Sequence, residues 1–468
     1  MNIVFWGTGS GGLNLFSFCK RIDIEPNYFC SSDSLLWHKE FCGISVVSPN
    51  ELKEIPLDII YIACSAVNEV RLQIASLNLS KELIVVDATF CYSTDFFRFN
   101  KSRFDKLFCE CKSIVNSTRL NGCYIDLSDG PSRSGISDWA IQFHEVLYKN
   151  NIPSHFVIRE MELTSDNKME YFYNNKFSSF LNDTSDILLP YKCILNGDYR
   201  TVVCNFVQNF FIAACYAKKK LGKLLKVVLI IHNQLPIYYS NAVMFCDYID
   251  ECYVISDYIA NKLEQLGFPK SKIRLLQWGI YLPVIKNNRK MNGPLRIGYA
   301  GRIVIEQKRI DLIIKVATQL AKNKVDFVLS IAGTGRDSVF FKEEIKRLNL
   351  EQFVILEGFV NKDNIHDFWG RQDVFLSCSD YEGHSISQVE ALCSGVVPVV
   401  TDVSGVRDDI IQNVMGFICP VGDYISIASC IKSLAQDRLL LKKMSEACIK
   451  NRNKFDIKNV EINYLEII

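Results

Sequence analysis

The hydrophobic pattern of this chain is most regular in its last third. Short apolar runs at Leu295 to Tyr299, Phe327 to Ala332, Val354 to Glu357, Val374 to Ser377 and Val396 to Val400 alternate with longer segments whose apolar residues recur every three or four positions. Asp311 to Lys322 and Asp337 to Leu348 show that helical spacing most clearly. Strands alternating with helices of this length predict a parallel, doubly wound sheet. The middle third repeats the scheme. It has predicted strands at Gly122 to Leu127, His155 to Ile158, Thr201 to Phe206, Lys226 to Ile231, Tyr253 to Ser256 and Ile273 to Gln277, and predicted helices at Ser137 to Tyr148, Val207 to Leu221 and Asp257 to Leu266. The first third gives strands at Ile3 to Trp6, Tyr28 to Cys30, Asp58 to Ala63 and Leu83 to Asp87. The polar stretch Lys286 to Gly293 reads as a linker, and Glu160 to Ser185 as a polar insertion. The expected class is α/β, with three Rossmann-like units: an accessory unit over 1–113, then 114–285 and 286–468.

Length fits this division, because 468 residues suggest about three domains. With 53 basic and 52 acidic residues the chain has no overall field that would attract nucleic acid, so any anion site must be local. The 18 cysteines are scattered, without a C-x-x-C pair or the dense spacing of a secreted scaffold, which points to a reduced cytoplasmic setting. Met1 to Cys19 lacks a basic leading segment and carries four glycines, unlike a signal peptide. The uncharged stretch Thr201 to Ala217 reads as a strand followed by an amphipathic helix, so no transmembrane helix is expected. Five lysines in the nine residues Lys218 to Lys226 allow two readings, the solvated end of a helix or peripheral contact with anionic lipid on the inner membrane face.

The candidate chemistry gathers at Asp380 to Thr401, D-Y-E-G-H-S-I-S-Q-V-E-A-L-C-S-G-V-V-P-V-V-T. Glu382 lies in a loop and Glu390 inside a short helix. Ser385 and Gln388 form an expected capping box, and Gly395 with Pro398 ends the helix. That start leaves the amides of Gly383 and His384 free to approach a phosphate. Two further loops leave the same edge of the sheet: A-G-R-I-V-I-E-Q-K-R-I-D with Arg302 and Lys308, and A-G-T-G-R with Gly333 and Gly335. Two cations beside a helix N-terminus suit a diphosphate, and two separated carboxylates suit an elongated ligand with a sugar at one end and a ribose at the other. In the middle unit, Gly130 and Gly135 precede a helix whose amides could face an anion. His232 follows a buried strand and is either a hydrogen-bonded edge histidine or a polar contact in the cleft. In the first unit, Gly7-x-Gly9-x-x-Gly12 follows a strand, and Asp33 ends the next one. This is either a nucleotide or NAD(P) site or a loop glycine-rich for tight packing.

Taken in order, A-G-R with K-R-I-D, A-G-T-G-R, L-E-G-F-V and E-G-H-S-I-S-Q-V-E-A-L-C-S-G-V-V-P-V-V resemble the retaining glycosyltransferases of family 4, the glycosyl transferases group 1, which have the GT-B fold. The resemblance covers residues 114 to 468 and leaves the first unit outside. It implies that the second and third units face each other across a cleft, with a nucleotide-diphosphate sugar held by the third and a glycan or lipid-linked acceptor held by the second. It implies contacts from Arg302 and Lys308 to the diphosphate, from Glu390 to the ribose and from Glu382 near the sugar, with Gly135 and His232 lining the cleft. Val403-Ser404-Gly405-Val406 departs from the Gly-Gly pair usual in the family. No D-x-D occurs, so transfer is expected to need no metal or cofactor. The implied activity is sugar transfer with retention in surface polysaccharide biosynthesis, such as capsule or lipopolysaccharide. The competing reading is an NAD-linked oxidoreductase or sugar-nucleotide-modifying enzyme working at Gly7 to Asp33.

Overall fold

The computed structural model of the chain describes residues 1–80, 82–88, 93–127, 135–159, 178–180, 187–285 and 292–468. Residues 286–291 of the expected 286–293 linker, most of the 160–185 insertion and Gly130 lie outside the described residues.

Three sheets carry the chain. The first contains β1 (Ile3–Trp6), β2 (Tyr28–Cys30), β3 (Glu40–Phe41), β4 (Ile44–Val47), β5 (Ile59–Ile62) and β6 (Ile84–Asp87), in the order β3-β4-β2-β1-β5-β6. It is parallel except for the β3–β4 hairpin. The pattern of apolar residues did not reveal that hairpin, because its strands are too short to show a period. Its turn places Cys42 and Gly43 both at positive φ (56° and 78°), which suits a two-residue hairpin loop.

The second sheet contains β7 (Leu120–Asp126), β8 (Ser154–Arg159), β9 (Ser178–Phe180), β10 (Tyr199–Cys204), β11 (Lys226–Ile231), β12 (Glu251–Val254) and β13 (Ile273–Leu275), in the order β13-β12-β11-β10-β7-β8-β9. The third contains β14 (Leu295–Ala300), β15 (Phe327–Ala332), β16 (Val354–Gly358), β17 (Val374–Ser377), β18 (Val397–Thr401) and β19 (Phe417–Cys419), in the order β16-β15-β14-β17-β18-β19. All pairings in these two sheets are parallel. In the third sheet the chain winds outward from β14 through β15 to β16, then restarts at β17 on the other side. The crevice between β14 and β17 is therefore its switch point, and the loops leaving those two strands lie side by side there.

Two features of the packing cross the expected unit boundaries. First, the accessory unit shares a core with the second unit. Phe108 stacks on Tyr216 at 4.0 Å between centroids, and Phe97 meets Phe245 at 4.8 Å. Burying each of these rings contributes roughly 1.5–3 kcal/mol. Second, the final helix Ile457–Leu465 returns from the third unit to pack on helix Gly135–Lys149 of the second. Ile457, Val460, Tyr464 and Ile467 join the second unit's core, and the Tyr464 hydroxyl donates to Gln142 Oε1 at 3.0 Å.

Candidate functional site

At the switch point of the third sheet, glycines bring the loops into contact. A Cβ on Gly333, whose φ is +147°, would lie 1.9 Å from the Gly301 carbonyl oxygen, and one on Gly335 would lie 2.2 Å from that of Ile303. The loop after β15 is thereby seated on the loop after β14. The loop after β14 is tied in turn to the loop after β17. Arg309, held at φ 48°, donates to both oxygens of Asp380 at 2.9 and 3.0 Å and pairs with Asp311. Asp380 N donates to Gln307 O at 2.9 Å.

This brace presents Lys308 to Glu382. The ammonium lies 2.5 Å from Glu382 Oε1, which also accepts from Ser379 Oγ at 2.6 Å. Glu382 is only 7% exposed, so the two charges face each other with little water between them. Arg302 stays at the exposed rim, donating to Gln307 Oε1. Arg309, Asp380 and Ser379 were missed by sequence reasoning. Their partners are far apart in the chain, although R-I-D beside S-D was a readable pairing of opposite charges.

The helix Ile386–Cys393 begins where the sequence places it, with Ser385 Oγ accepting from Gln388 N at 3.4 Å. The expected capping box is incomplete. The Gln388 side chain donates to Asp409 Oδ2 at 2.9 Å rather than turning back to the cap. Glu390 lies half-buried a turn further on, where Trp369 Nε1 donates to it at 3.4 Å. Burial pushes its carboxyl up to about 7, opposed by the Trp369 hydrogen bond and the Lys362 charge. The helix that carries Trp369, Ile365–Gly370, also borders a cavity of about 520 Å³ lined by Phe359, Val360, Asn361, Asn364, Asp367 and Arg371.

The second unit closes over this edge. Gln234 Nε2 donates to Glu382 O at 3.3 Å, and Ser256 Oγ meets Ser404 Oγ at 2.8 Å. The position that departs from the Gly-Gly pair thus serves as an inter-unit contact. Gly135 faces Ile386 and Trp278. His384 turns its Nδ1 toward Ile255 O at 3.4 Å and its Nε2 toward Asp409 Oδ2 at 3.2 Å. Burial pulls this imidazole down, but the Asp409 charge and the Ile255 carbonyl together raise it above its ordinary value. Nδ1 is in hydrogen-bond range of the Ile255 carbonyl, while Nε2 lies at ion-pair distance from Asp409 without hydrogen-bond geometry, so the charge of the carboxylate is what favours the imidazolium.

His232 is the opposite case. Its Nε2 lies 2.8 Å from Asn205 Oδ1, and the Asn205 amide nitrogen is spent on Asp126 O at 2.7 Å. Nε2 therefore carries the hydrogen, and Nδ1 is a bare acceptor. Nδ1 is buried and has no hydrogen-bond partner among the described residues. Burial pushes the ring down to about 3, so it is neutral at physiological pH.

Gly383 is the tightest point of closure, because a Cβ there would sit 1.7 Å from the His232 carbonyl oxygen. Ordinary contact needs about 3.5 Å, so Gly383→Ala must move the units apart by roughly 1.8 Å. The expected result is a larger radius of gyration in X-ray scattering and faster amide exchange at 232–235, with each unit still folded. Unchanged scattering and exchange would contradict this closure.

Gly7, Gly9, Gly12 and Asp33 belong to the first sheet and do not join this site. A Cβ on Gly7, Gly11 or Gly12 would meet the backbone of Ala63 or Gly7 at 2.9 Å or less, whereas Gly9 stands open. Close packing of helix Ser10–Cys19 on the sheet accounts for the crowded glycines. Asp33 spends a side-chain oxygen on Leu35 N at 2.9 Å, capping a short turn. In the lysine cluster, Lys218 pairs with Asp250 at 2.8 Å, Lys219 with Asp105 at 3.3 Å and Lys226 with Glu251 at 2.9 Å, so most of its charge is already matched. Among the described residues, no helix is long and apolar enough to cross a membrane, and no cluster of His, Cys, Asp and Glu could hold a metal ion.

Comparison with known proteins defines the class. Residues 284–455 match the family pattern described as "Glycosyl transferases group 1". The chain is 30% identical over 184 residues to the amylovoran biosynthesis glycosyltransferase AmsK of Erwinia amylovora, covering 38% of this chain and 45% of AmsK. It is 26% identical over 190 residues to the putative colanic acid biosynthesis glycosyltransferase WcaL of Escherichia coli (strain K12), covering 39% and 47%. The chain thus spans about half the length of each of these two relatives. Among solved structures, Anabaena Alr3699/HepE in complex with UDP and glucose superposes with a TM-score of 0.63 at 16% identity, over 74% of this chain and 99% of that one. The lipopolysaccharide outer core galactosyltransferase WaaB in its apo form gives 0.59 at 18% identity, over 74% and 98%. The chain is therefore a glycosyltransferase-like protein of GT-B fold, preceded by a small Rossmann-like domain.

Proposed function

We propose that the chain is a retaining glycosyltransferase of family 4. It would move a sugar from a nucleotide-diphosphate sugar to a glycan or lipid-linked glycan in surface polysaccharide biosynthesis. The observation that carries this reading is the Lys308–Glu382 pair, set at the switch point of the third sheet, where the adjoining Gly383 packs on the His232 carbonyl of the second unit. In the transfer, the bond from the anomeric carbon to the diphosphate oxygen breaks. A bond to the acceptor hydroxyl oxygen forms on the same face, and the hydroxyl proton is released. The residues supply what that step needs. Lys308, Arg302 and the amides at Gly383 to Ser385 offset the charge developing on the leaving diphosphate. These cations and amides can do so without a metal. Glu382 orients Lys308 and lies by the sugar. His232 Nδ1 accepts a hydrogen bond from a hydroxyl of the bound sugar. Glu390 receives the ribose hydroxyls, and the cavity at Phe359 to Arg371 takes the base. Use of a nucleotide-sugar donor supports a cytoplasmic setting for the reaction.

The relatives support the polysaccharide setting, since AmsK and WcaL carry amylovoran and colanic acid biosynthesis in their names. A thermal-shift panel of UDP, GDP and NAD tests the reading. A nucleoside diphosphate at a hundred times its dissociation constant should stabilise the chain by about 2.7 kcal/mol, and Lys308→Ala should abolish that shift. A response to NAD alone, insensitive to Lys308, would sink the proposal.

A further inference from the structure

We infer that the N-terminal unit is a positioning element for the cleft histidine, acting through helix Pro236–Met244. The two ends of this helix are held by different parts of the chain. It begins four residues after His232, and Gln234 in the intervening turn reaches Glu382 O. Its far end receives the N-terminal unit, where helix Thr94–Phe99 packs across it and Phe97 meets Phe245, the residue that ends it. Thr94 Oγ1 lies 2.6 Å from Ser240 Oγ and 3.0 Å from Asn241 Oδ1.

Asn241 carries the contact inward. It is fully buried and donates Nδ2 to Val207 O at 3.3 Å. One turn earlier, the Tyr238 hydroxyl donates to Asn205 O at 3.5 Å. The helix therefore bears on segment 205–207 at two backbone oxygens. That segment holds Asn205, whose side-chain oxygen fixes the hydrogen of His232 on Nε2 and leaves Nδ1 as the acceptor. Thr94, Asn241, Val207, Asn205 and His232 form one continuous series of hydrogen bonds and backbone from the first unit to the cleft. The first two links are side chains that can make these bonds only in one orientation. Without the Thr94 hydroxyl, Asn241 loses one of the hydrogen bonds that hold its side chain in place, and its bond to Val207 O is less firmly supported. The 205–207 segment then loses a restraint, and the histidine can exchange its hydrogen between nitrogens. Thr94 and Asn241 are positioning residues, and the first unit is part of the machinery rather than an appendage.

The inference rests on the proposed transferase reading only for its effect on rate, so the test reads the ring directly. The full chain is labelled with ¹⁵N-histidine, and the His232 signals are assigned by their loss in His232→Gln. Native protein should show a single Nε2–H tautomer. Thr94→Val should give a mixture of tautomers and, with a working donor and acceptor, about a tenfold lower kcat with less than a twofold change in donor KM. Thr94→Ser should restore both, and Thr94→Ala stands in if the valine variant fails to fold. A variant that lowers the melting temperature yet keeps the native tautomer overturns the inference and leaves the unit a stabilising domain only. If no donor is ever turned over, the transferase reading fails, while the tautomer measurement still decides this one.

Discussion

Lys308→Ala should lower sugar transfer by about two to three orders of magnitude, the loss expected when one preorganised charge is removed from a developing anion. The same change should also cost stability, and the two effects can be separated. Lys308 and Glu382 are both largely buried and 2.5 Å apart. Removing one partner leaves the other charge enclosed, which typically costs about 3–5 kcal/mol. Ser379 still donates to Glu382, and this hydrogen bond keeps the expected cost near the lower end. The paired change Lys308→Met with Glu382→Gln removes both charges at similar volume, so it should recover most of that stability. It should not recover transfer, because the cation needed at the diphosphate is still missing. Urea unfolding and donor turnover on the two variants check both halves. A paired variant that is stable and active would show that the lysine is structural. One that remains as unstable as the single variant would show that packing, not charge, was lost.

The doubly wound architecture was legible because strands covered on both faces are written as continuous apolar runs, and helices between them keep the period of 3.6. The loops at the switch point were legible for the same reason, since parallel strands all end on one side. What the sequence hid were pairings between distant loops. Arg309 finds Asp380 across 71 positions, and Gln388 abandons its cap for an aspartate 21 positions on. Local rules rank the nearby partner first, and tertiary packing supplied a better one. The docking of the N-terminal unit was hidden differently. Phe97 and Phe108 look like core residues of their own small domain, and nothing in their spacing says that half of that core belongs to Tyr216 and Phe245. The return of the last helix was concealed in the same way, because Val460 and Tyr464 would serve equally well against either unit. His232 was left between two readings by the sequence, and the structure bears on the first of them, the hydrogen-bonded histidine. It is hydrogen-bonded through Nε2, while its buried Nδ1 has no hydrogen-bond partner among the described residues.

Glu390→Gln should weaken nucleotide binding and stabilise the empty protein, two effects of opposite sign from one substitution. A carboxylate accepting two ribose hydroxyls makes charge-assisted hydrogen bonds of about 1.5–3 kcal/mol each, and the amide cannot replace both. Affinity at pH 8 should therefore fall by about a hundredfold. In the native protein, burial holds the carboxyl near 7, above its ordinary value of 4.5. At pH 6 most of the empty protein is protonated there, and at pH 8 most is ionised, so nucleotide affinity should rise about tenfold over that interval. The variant should show no such rise. For stability, the unfolded chain ionises this group near 4.5 while the folded protein retains the proton until about 7. Its contribution is thus fully present below 4.5, is lost as pH climbs through that window, and stays lost above it. At about 1.4 kcal/mol per pH unit the loss is at most about 3.5 kcal/mol, and less where water reaches the half-buried side chain. Glutamine never ionises, so the variant should match the native protein near pH 4.5 and exceed it at pH 8. Calorimetry at pH 6 and 8 and urea unfolding at pH 5 and 8 provide the four measurements. Affinity that is flat with pH, together with equal stability at pH 8, would place Glu390 outside the nucleotide site. A stabilised variant that binds as well as the native protein would leave it a strained core residue with no ribose to hold.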